Sequence, residues 1–227
     1  MGVYSGPDIV EDGLVLCLDA GNAKSYLGSG TTWTDLSGQG NNGTLENGVG
    51  YNSSNGGFLS FDGSNDYAVV NSSFQVSTSV TYSFEVWIYK TSTATNAAAM
   101  LISGGFGGDK DGIMIQSELY SGNSSTIIHI KSGNGDVNAV YYNGVSQVLT
   151  EESTGTDANF NLNEWIHIAV TGITVDSTDG AAHHIGQNNN DTNKFIGRIS
   201  NLKVYDRALT ASEVQQNYNA TRSRYGV

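Results

Sequence analysis

An all-β fold, two antiparallel sheets stacked as a β-sandwich and closed by a short C-terminal helix, is what this chain predicts. Three observations predict it. Short apolar runs alternate with segments crowded with Gly, Asn, Ser and Thr, and in 227 residues glycine occurs 29 times and proline once, a turn-rich β composition. Several of the runs alternate apolar and polar residues at period two, as strands with one covered face do. Helix-start chemistry is found in one place, after Leu209. All-β sandwiches reach this length as one unit, so the expected layout is an N-terminal arm over residues 1–12 and a single domain over 13–227.

Leu14 to Leu18 is the first strand, and its unbroken apolar run predicts that both faces are covered. A long Gly-rich connection, Ala23 to Val49, follows, with Trp33 and Leu36 as the anchors that pin it down. Phe58 to Val70, FLSFDGSNDYAVV, reads as a β-hairpin: Phe58, Leu59 and Phe61 lead into a turn of Asp62, Gly63, Ser64, Asn65 and Asp66, and Tyr67 to Val70 lead out. Its acidic tip is a plain turn or a place for a Ca²⁺, which wants clustered oxygen ligands.

Thr81 to Tyr89 alternates cleanly, with Phe84, Val86 and Ile88 on one face and Glu85, Trp87 and Tyr89 on the other. Strands are expected at Ala99–Ser103, Gly112–Gln116 and Thr126–Lys131. Val137–Tyr142 and Ser146–Leu149 flank Asn143-Gly144, a strong hairpin signal. Trp165 to Thr171 places Ile166, Ile168 and Val170 inward and His167 on the opposite face as a structural histidine. His183 and His184 are adjacent and point to opposite faces if they lie in a strand, which argues against a joint metal role. Phe195–Tyr205 is the last strand. Thr210 and Glu213 then form a capping box and Leu209 and Val214 a hydrophobic staple, so a helix begins there, with Val214 and Tyr218 on its docking face.

Composition excludes several functions. With ten Lys and Arg, 22 Asp and Glu and a net charge of −12, no basic stripe exists to displace counterions from nucleic acid, and an anionic membrane is disfavoured by the same sign. The single Cys17 allows neither an intrachain disulfide nor a thiolate zinc site, and its apolar surroundings mark a buried small hydrophobe. Met1 to Pro7 has neither the basic start nor the apolar core of a secretion signal. Gly104 to Asp111 is glycine-rich but lacks a phosphate loop's ending, and Asp109 and Asp111 lack the Gly and Glu of an EF-hand.

Chemistry points to binding. Glu85, Trp87 and Tyr89 would form one wall of a sugar groove, aromatic rings stacking on a pyranose while the acid takes its hydroxyls. Tyr141 and Tyr142 are further candidates. The same face also fits a second reading, in which Trp87 packs beneath a neighbouring loop. Glu151 and Glu152 are adjacent and diverge on a strand, and no nucleophile elbow or His-Glu-x-x-His occurs. The chain is therefore expected not to be an enzyme.

Four stretches resemble the laminin-G-like members of the concanavalin A-like lectin/glucanase superfamily, in the version found in bacteriophage virion proteins: GLVLCLDAGNAKSY (Gly13 to Tyr26), TTWTDLSGQGNNGTL (Thr31 to Leu45), GGFLSFDGSNDYAVV (Gly56 to Val70) and the ending Gly197 to Val227. The resemblance implies a jelly-roll sandwich over 13–227. One departure is visible: Tyr141-Tyr142-Asn143-Gly144 precedes the Trp-x-His strand, where the family places it after. The family often binds Ca²⁺ at rim loops, and carried over this makes Asp62 and Asp66, with Asp19, the expected ligands. The superfamily's glucanases use Glu-x-Asp-x-x-Glu on one strand, and this chain has no such pattern.

The function implied is a non-enzymatic phage virion component, a capsid decoration or appendage protein made in the host cytoplasm and carried on the virion surface. Its partners would be capsid or tail proteins, other copies of itself and surface polysaccharide. The alternative is a carbohydrate-binding module or tail-fibre adhesin used for host recognition.

Overall fold

The computed structural model describes residues 8–70, 80–91, 98–103, 112–118, 125–131, 139–147, 155–156, 163–174, 183–187 and 194–227. The 104–111 loop, Glu151 and Glu152, and residues 1–7 lie outside them. Strands run β1 Leu14–Asp19, β2 Thr32–Trp33, β3 Gly43–Glu46, β4 Gly50–Asn52, β5 Phe58–Asp62, β6 Tyr67–Val70, β7 Thr81–Lys90, β8 Ala98–Ser103, β9 Gly112–Glu118, β10 Ser125–Lys131, β11 Ala139–Tyr142, β12 Val145–Ser146, β13 Gly155–Thr156, β14 Trp165–Thr174, β15 His183–Ile185 and β16 Ile196–Tyr205. Helix α1, Ala211–Thr221, and a 3-10 turn, Arg222–Tyr225, end the chain.

These strands form two antiparallel sheets. The first runs β12-β11-β14-β7-β16-β5-β4, with β1 added along the second half of β16; the other runs β13-β10-β9-β8-β15-β6-β3-β2. Their inner faces share one core, in which Leu16, Leu18, Val86, Ile88, Ile168 and Ile199 of the first sheet meet Leu45, Ala68, Val70 and Ile185 of the second. Alternation explains the placement, because each of these residues is an inward member of a period-two run. The all-β sandwich with one short C-terminal helix is thus the observed fold.

The expected hairpin at Phe58–Val70 is corrected. β5 pairs with β4 and β16 in one sheet while β6 pairs with β3 and β15 in the other. The Asp62–Asp66 turn therefore arches from layer to layer. The physical reason lies in the core: Leu59 and Phe61 face Ala68 and Val70 across the sandwich, so both strands bury their apolar sides in the same interior.

The long Gly-rich connection contains β2 and β3, and Trp33 is fully buried as its anchor. Its 34–41 loop covers the free edge of β1, where Leu36 N–H donates to the Cys17 carbonyl and Cys17 N–H donates to Asp35 Oδ1 at 2.8 Å. Cys17 is free and buried.

The Tyr-Tyr-Asn-Gly segment, out of its usual order, still lands beside the Trp-x-His strand. β11 pairs with β14 and turns through Asn143 and Gly144 into β12, both turn residues having positive φ, 48° and 77°, as a two-residue hairpin of this hand requires.

Residues 8–12, the described part of the expected N-terminal arm, lie against the sandwich. Val10 N–H donates to Asn217 Oδ1 at 2.7 Å, the Tyr205 hydroxyl donates to the Val10 carbonyl, and Gln216 holds the Asp8 carbonyl. A chain segment carrying a buried apolar Val10 and unpaired amides gains more on the sandwich than in water.

Candidate functional site

The outer face of the first sheet carries Glu85 and Trp87 on β7, His167 on β14, and Lys203 and Tyr205 on β16, all buried. Helix α1 lies over them. Its Thr210–Glu213 capping box is formed, and Val214, Asn217, Tyr218 and Thr221, spaced three, four and seven apart, turn inward. Glu85 Oε2 accepts from Asn217 Nδ2 at 2.9 Å and from Lys203 Nζ at 3.4 Å. His167 Nε2 stands 3.9 Å away, too far for a hydrogen bond. Burial opposes the charge on Glu85, yet the Lys203 ammonium, His167 and Asn217 hold its carboxyl below the ordinary value. Burial pushes His167 down, against the pull of the Glu85 carboxylate.

The sugar groove expected from Glu85, Trp87 and Tyr141 is occupied by protein. Trp87 is fully buried; its Nε1–H donates to Thr221 Oγ1 at 2.9 Å, and its ring stacks on Tyr225 at 4.0 Å and lies nearly parallel to Tyr218 at 5.8 Å. Tyr141 packs with Leu209 and Val214, and Tyr142 turns the other way, against the main core. The helix stands where a pyranose was to lie. One signal was available: polar Asn217 and Thr221 share the helix face of Val214 and Tyr218, and a buried Asn or Thr demands polar partners.

The three expected calcium ligands do not converge. Asp19 is held by Arg224 in a two-pronged pair, both contacts 2.8 Å, and the same guanidinium bonds the Gly56 carbonyl. Asp62 lies at the other end of β5, four residues from Phe58 and so on the order of 13 Å away along the strand. Its Oδ1 accepts from Ser64 N–H at 2.7 Å, which keeps its carboxyl low, while Asp66 Oδ2 accepts from Asp62 N–H and burial pushes the Asp66 carboxyl up. Among the described residues no group of three or more His, Cys, Asp or Glu is arranged to hold a metal.

Among the described residues, two surfaces bear on ligand binding. One is a cleft of about 670 Å³ floored by Val15, Cys17, Asn201 and Lys203, between the residues around Glu11 and the Leu36–Gln39 loop. No aromatic side chain lines it, and Glu11, Asp19 and Asp206 make its rim acidic.

The other is a platform beyond the end of the helix, where the partly exposed Tyr89 and Arg198 lie over the buried rings of Phe58, Trp165 and Tyr225. Tyr89, the fifth glycan candidate, is half-buried there. The Arg198 guanidinium lies 4.3 Å from the centroid of its ring and 4.7 Å from that of Phe58. Trp165 meets both rings edge-on, at 5.5 Å and 5.7 Å, and leans on Tyr225 at 4.9 Å. β16 brings Arg198 between Tyr89 on β7 and Ser60 on β5 by register alone. Arg198, near the start of the last strand, is the site residue that sequence reasoning missed.

No family model and no curated protein matches the chain. Solved structures do. The chain is similar to domain 4 of AbnA, a GH43 extracellular arabinanase from Geobacillus stearothermophilus solved with arabinotriose, at a TM-score of 0.58 and 16% identity over 90% of this chain and 98% of that one. It is similar to the binding domain of Paraclostridial Mosquitocidal Protein 1 at 0.57 and 18%, over 92% of this chain and 52% of that one. Trypanosoma rangeli sialidase in complex with sialic acid matches at 0.56 and 13%, over 93% and 33%. The chain thus spans about half of the mosquitocidal domain and a third of the sialidase. At these identities the likeness establishes the sandwich fold.

Proposed function

We propose that the chain is a non-enzymatic, lectin-like binding module of a phage virion, a capsid decoration or appendage protein that adheres to surface glycans through the outer face of its first sheet. The observation that supports the binding half is the likeness, over 90% of this chain and 98% of that one, to domain 4 of the arabinanase, solved in complex with arabinotriose. The virion half rests on the four sequence stretches quoted above. Binding rather than cleavage is supported by the state of Glu85. Glycoside hydrolysis calls for two carboxyls about 5 to 9 Å apart across the scissile bond, whereas the neighbours of Glu85 are an ammonium, an imidazole and an amide.

The platform is a better place for a sugar than the cleft, because it offers the exposed part of Tyr89 beside the Arg198 guanidinium, whereas no aromatic side chain lines the cleft. Retention of the purified protein on a glycan array, lost on replacing Tyr89 by Ala with the melting temperature kept, is the expected result. No retention on any glycan refutes the binding half. Imaging of particles with and without the protein tests the rest: copies over the shell mean decoration, copies at the tail mean host contact, and particles with no copies refute the virion assignment.

A further inference from the structure

We propose that Arg198 reads the carboxylate of an acidic sugar, so that the glycan held on the platform carries uronic-acid-type residues. The inference rests on the glycan-binding reading and adds the charge of the ligand and the residue that recognises it.

Of the four arginines, Arg207 and Arg224 are paired with carboxylates, the exposed Arg222 rests on the Tyr218 ring, and Arg198 is half-buried between two rings. Arg207 is paired with Glu213 at 2.7 Å and with Asp12 at 2.9 Å, and Arg224 grips Asp19 with both prongs. What sets Arg198 apart from Arg222 is that its guanidinium is half-buried and fixed against two rings rather than exposed over a single one. Arg198 has no carboxylate partner among the described residues. Its partners are two π-faces, Tyr89 and Phe58, which attract a cation but accept none of its N–H groups in the plane of the fork. Asp62, two residues beyond Ser60 on β5, is tied by the Ser64 N–H in its own turn.

The guanidinium is also held in place. Tyr89 and Phe58 both abut Trp165, and Trp165 rests on Tyr225, which donates to Ser200 Oγ at 2.8 Å. Rotamer freedom that a surface arginine loses on binding is here lost on folding, so a ligand meets a pre-set planar donor. The group that complements such a fork is a carboxylate, taken through two parallel N–H···O bonds. Because the guanidinium lies over Tyr89, a pyranose cannot stack on that ring face. It must approach edge-on, with its carboxylate toward Arg198 and its hydroxyls toward the exposed part of Tyr89. The acidity of the whole chain weakens with distance under physiological screening, while a contact pair does not.

The test is calorimetric titration of the full chain with an oligogalacturonide and with the same oligosaccharide after its carboxyls are reduced to alcohols. Wild type should bind the acid form about tenfold more tightly or better, the range of a charge-assisted bond, with a preference that narrows as salt rises. Arg198→Lys keeps the charge and loses the fork, so the preference should fall close to one; Arg198→Gln should abolish it. Melting temperatures measured alongside separate binding from folding, and the lysine variant decides if the glutamine variant unfolds. Equal binding of both sugars, or an undiminished preference in Arg198→Lys, overturns the carboxylate inference and leaves the glycan reading standing. Displacement of the oligogalacturonide by an equal concentration of acetate would mean an adventitious ion only, and overturns it too. Binding of neither sugar, with a silent array, overturns both.

Discussion

Replacing Asn217 by Ala should loosen the helix and the N-terminal segment together. The side chain is fully buried and serves three partners: its Oδ1 accepts from Val10 N–H at 2.7 Å, and its Nδ2 donates to Glu85 Oε2 at 2.9 Å and to the Tyr205 hydroxyl at 3.0 Å. Truncation leaves a buried carboxylate short of one donor, which costs roughly 1.5 to 3 kcal/mol, and a buried amide unpaired, roughly 1 kcal/mol more. Tyr205 keeps its bond to the Val10 carbonyl, so its loss is minor, and the small cavity adds to the total. A destabilisation of about 3 to 5 kcal/mol should lower the melting temperature of a domain this size by on the order of 10 °C. Thermal unfolding followed by circular dichroism measures the shift, and hydrogen exchange at the Val10 amide reports the segment. A drop below about 3 °C with Val10 still protected would refute the idea that Asn217 joins helix, strand and N-terminal segment.

Three further outcomes are expected. Burial pushes the Lys90 ammonium down to about 8 from 10.5, and its Nζ has no hydrogen-bond partner; between those values the unfolded chain binds the extra proton, so stability rises with pH across that window. Lys90→Met should accordingly be more stable than wild type at pH 7, with the gap closing between pH 8 and 10.5, and a gap that stays constant over a pH series of urea melts would contradict this. Arg207, with Thr210 adding bonds, pulls the Glu213 carboxyl down to about 2 from 4.5; its contribution is complete above about pH 4.5 and lost as pH falls toward 2, so Glu213→Gln should flatten the acid limb of the stability curve. Calcium added to chelator-treated protein should leave the melting temperature unchanged, since Asp19 is engaged by Arg224 and Asp62 and Asp66 are bound into their turn; a rise of several degrees would reveal an oxygen cage that includes residues outside those described.

Much of the sandwich was legible because its information is local. Phe84, Val86 and Ile88 announced the inner face of β7 by alternation, Asn143-Gly144 announced its turn, and Thr210 with Glu213 announced the helix to the residue. Strand partners were not legible. Asp62 to Asp66 carries the same turn residues whether it closes a hairpin or arches between layers, and the difference lies in which distant strands, β16 or β15, take up the edges. The candidate site failed for a related reason. Sequence placed Glu85, Trp87 and Tyr89 on one outer face correctly, but could not say that a helix 130 residues away covers the first two and stops short of the third. Arg198 was invisible because only cross-strand register sets it on Tyr89 and Phe58.

Where the two extremities are fastened has an architectural consequence. Asn217 fixes Val10, and Arg224 fixes the chain just before Val227 to Asp19 and Gly56. Val10 and the Arg222–Tyr225 turn are therefore both tied to the first sheet through the helix and its sequel, and loosening the helix would release both at once.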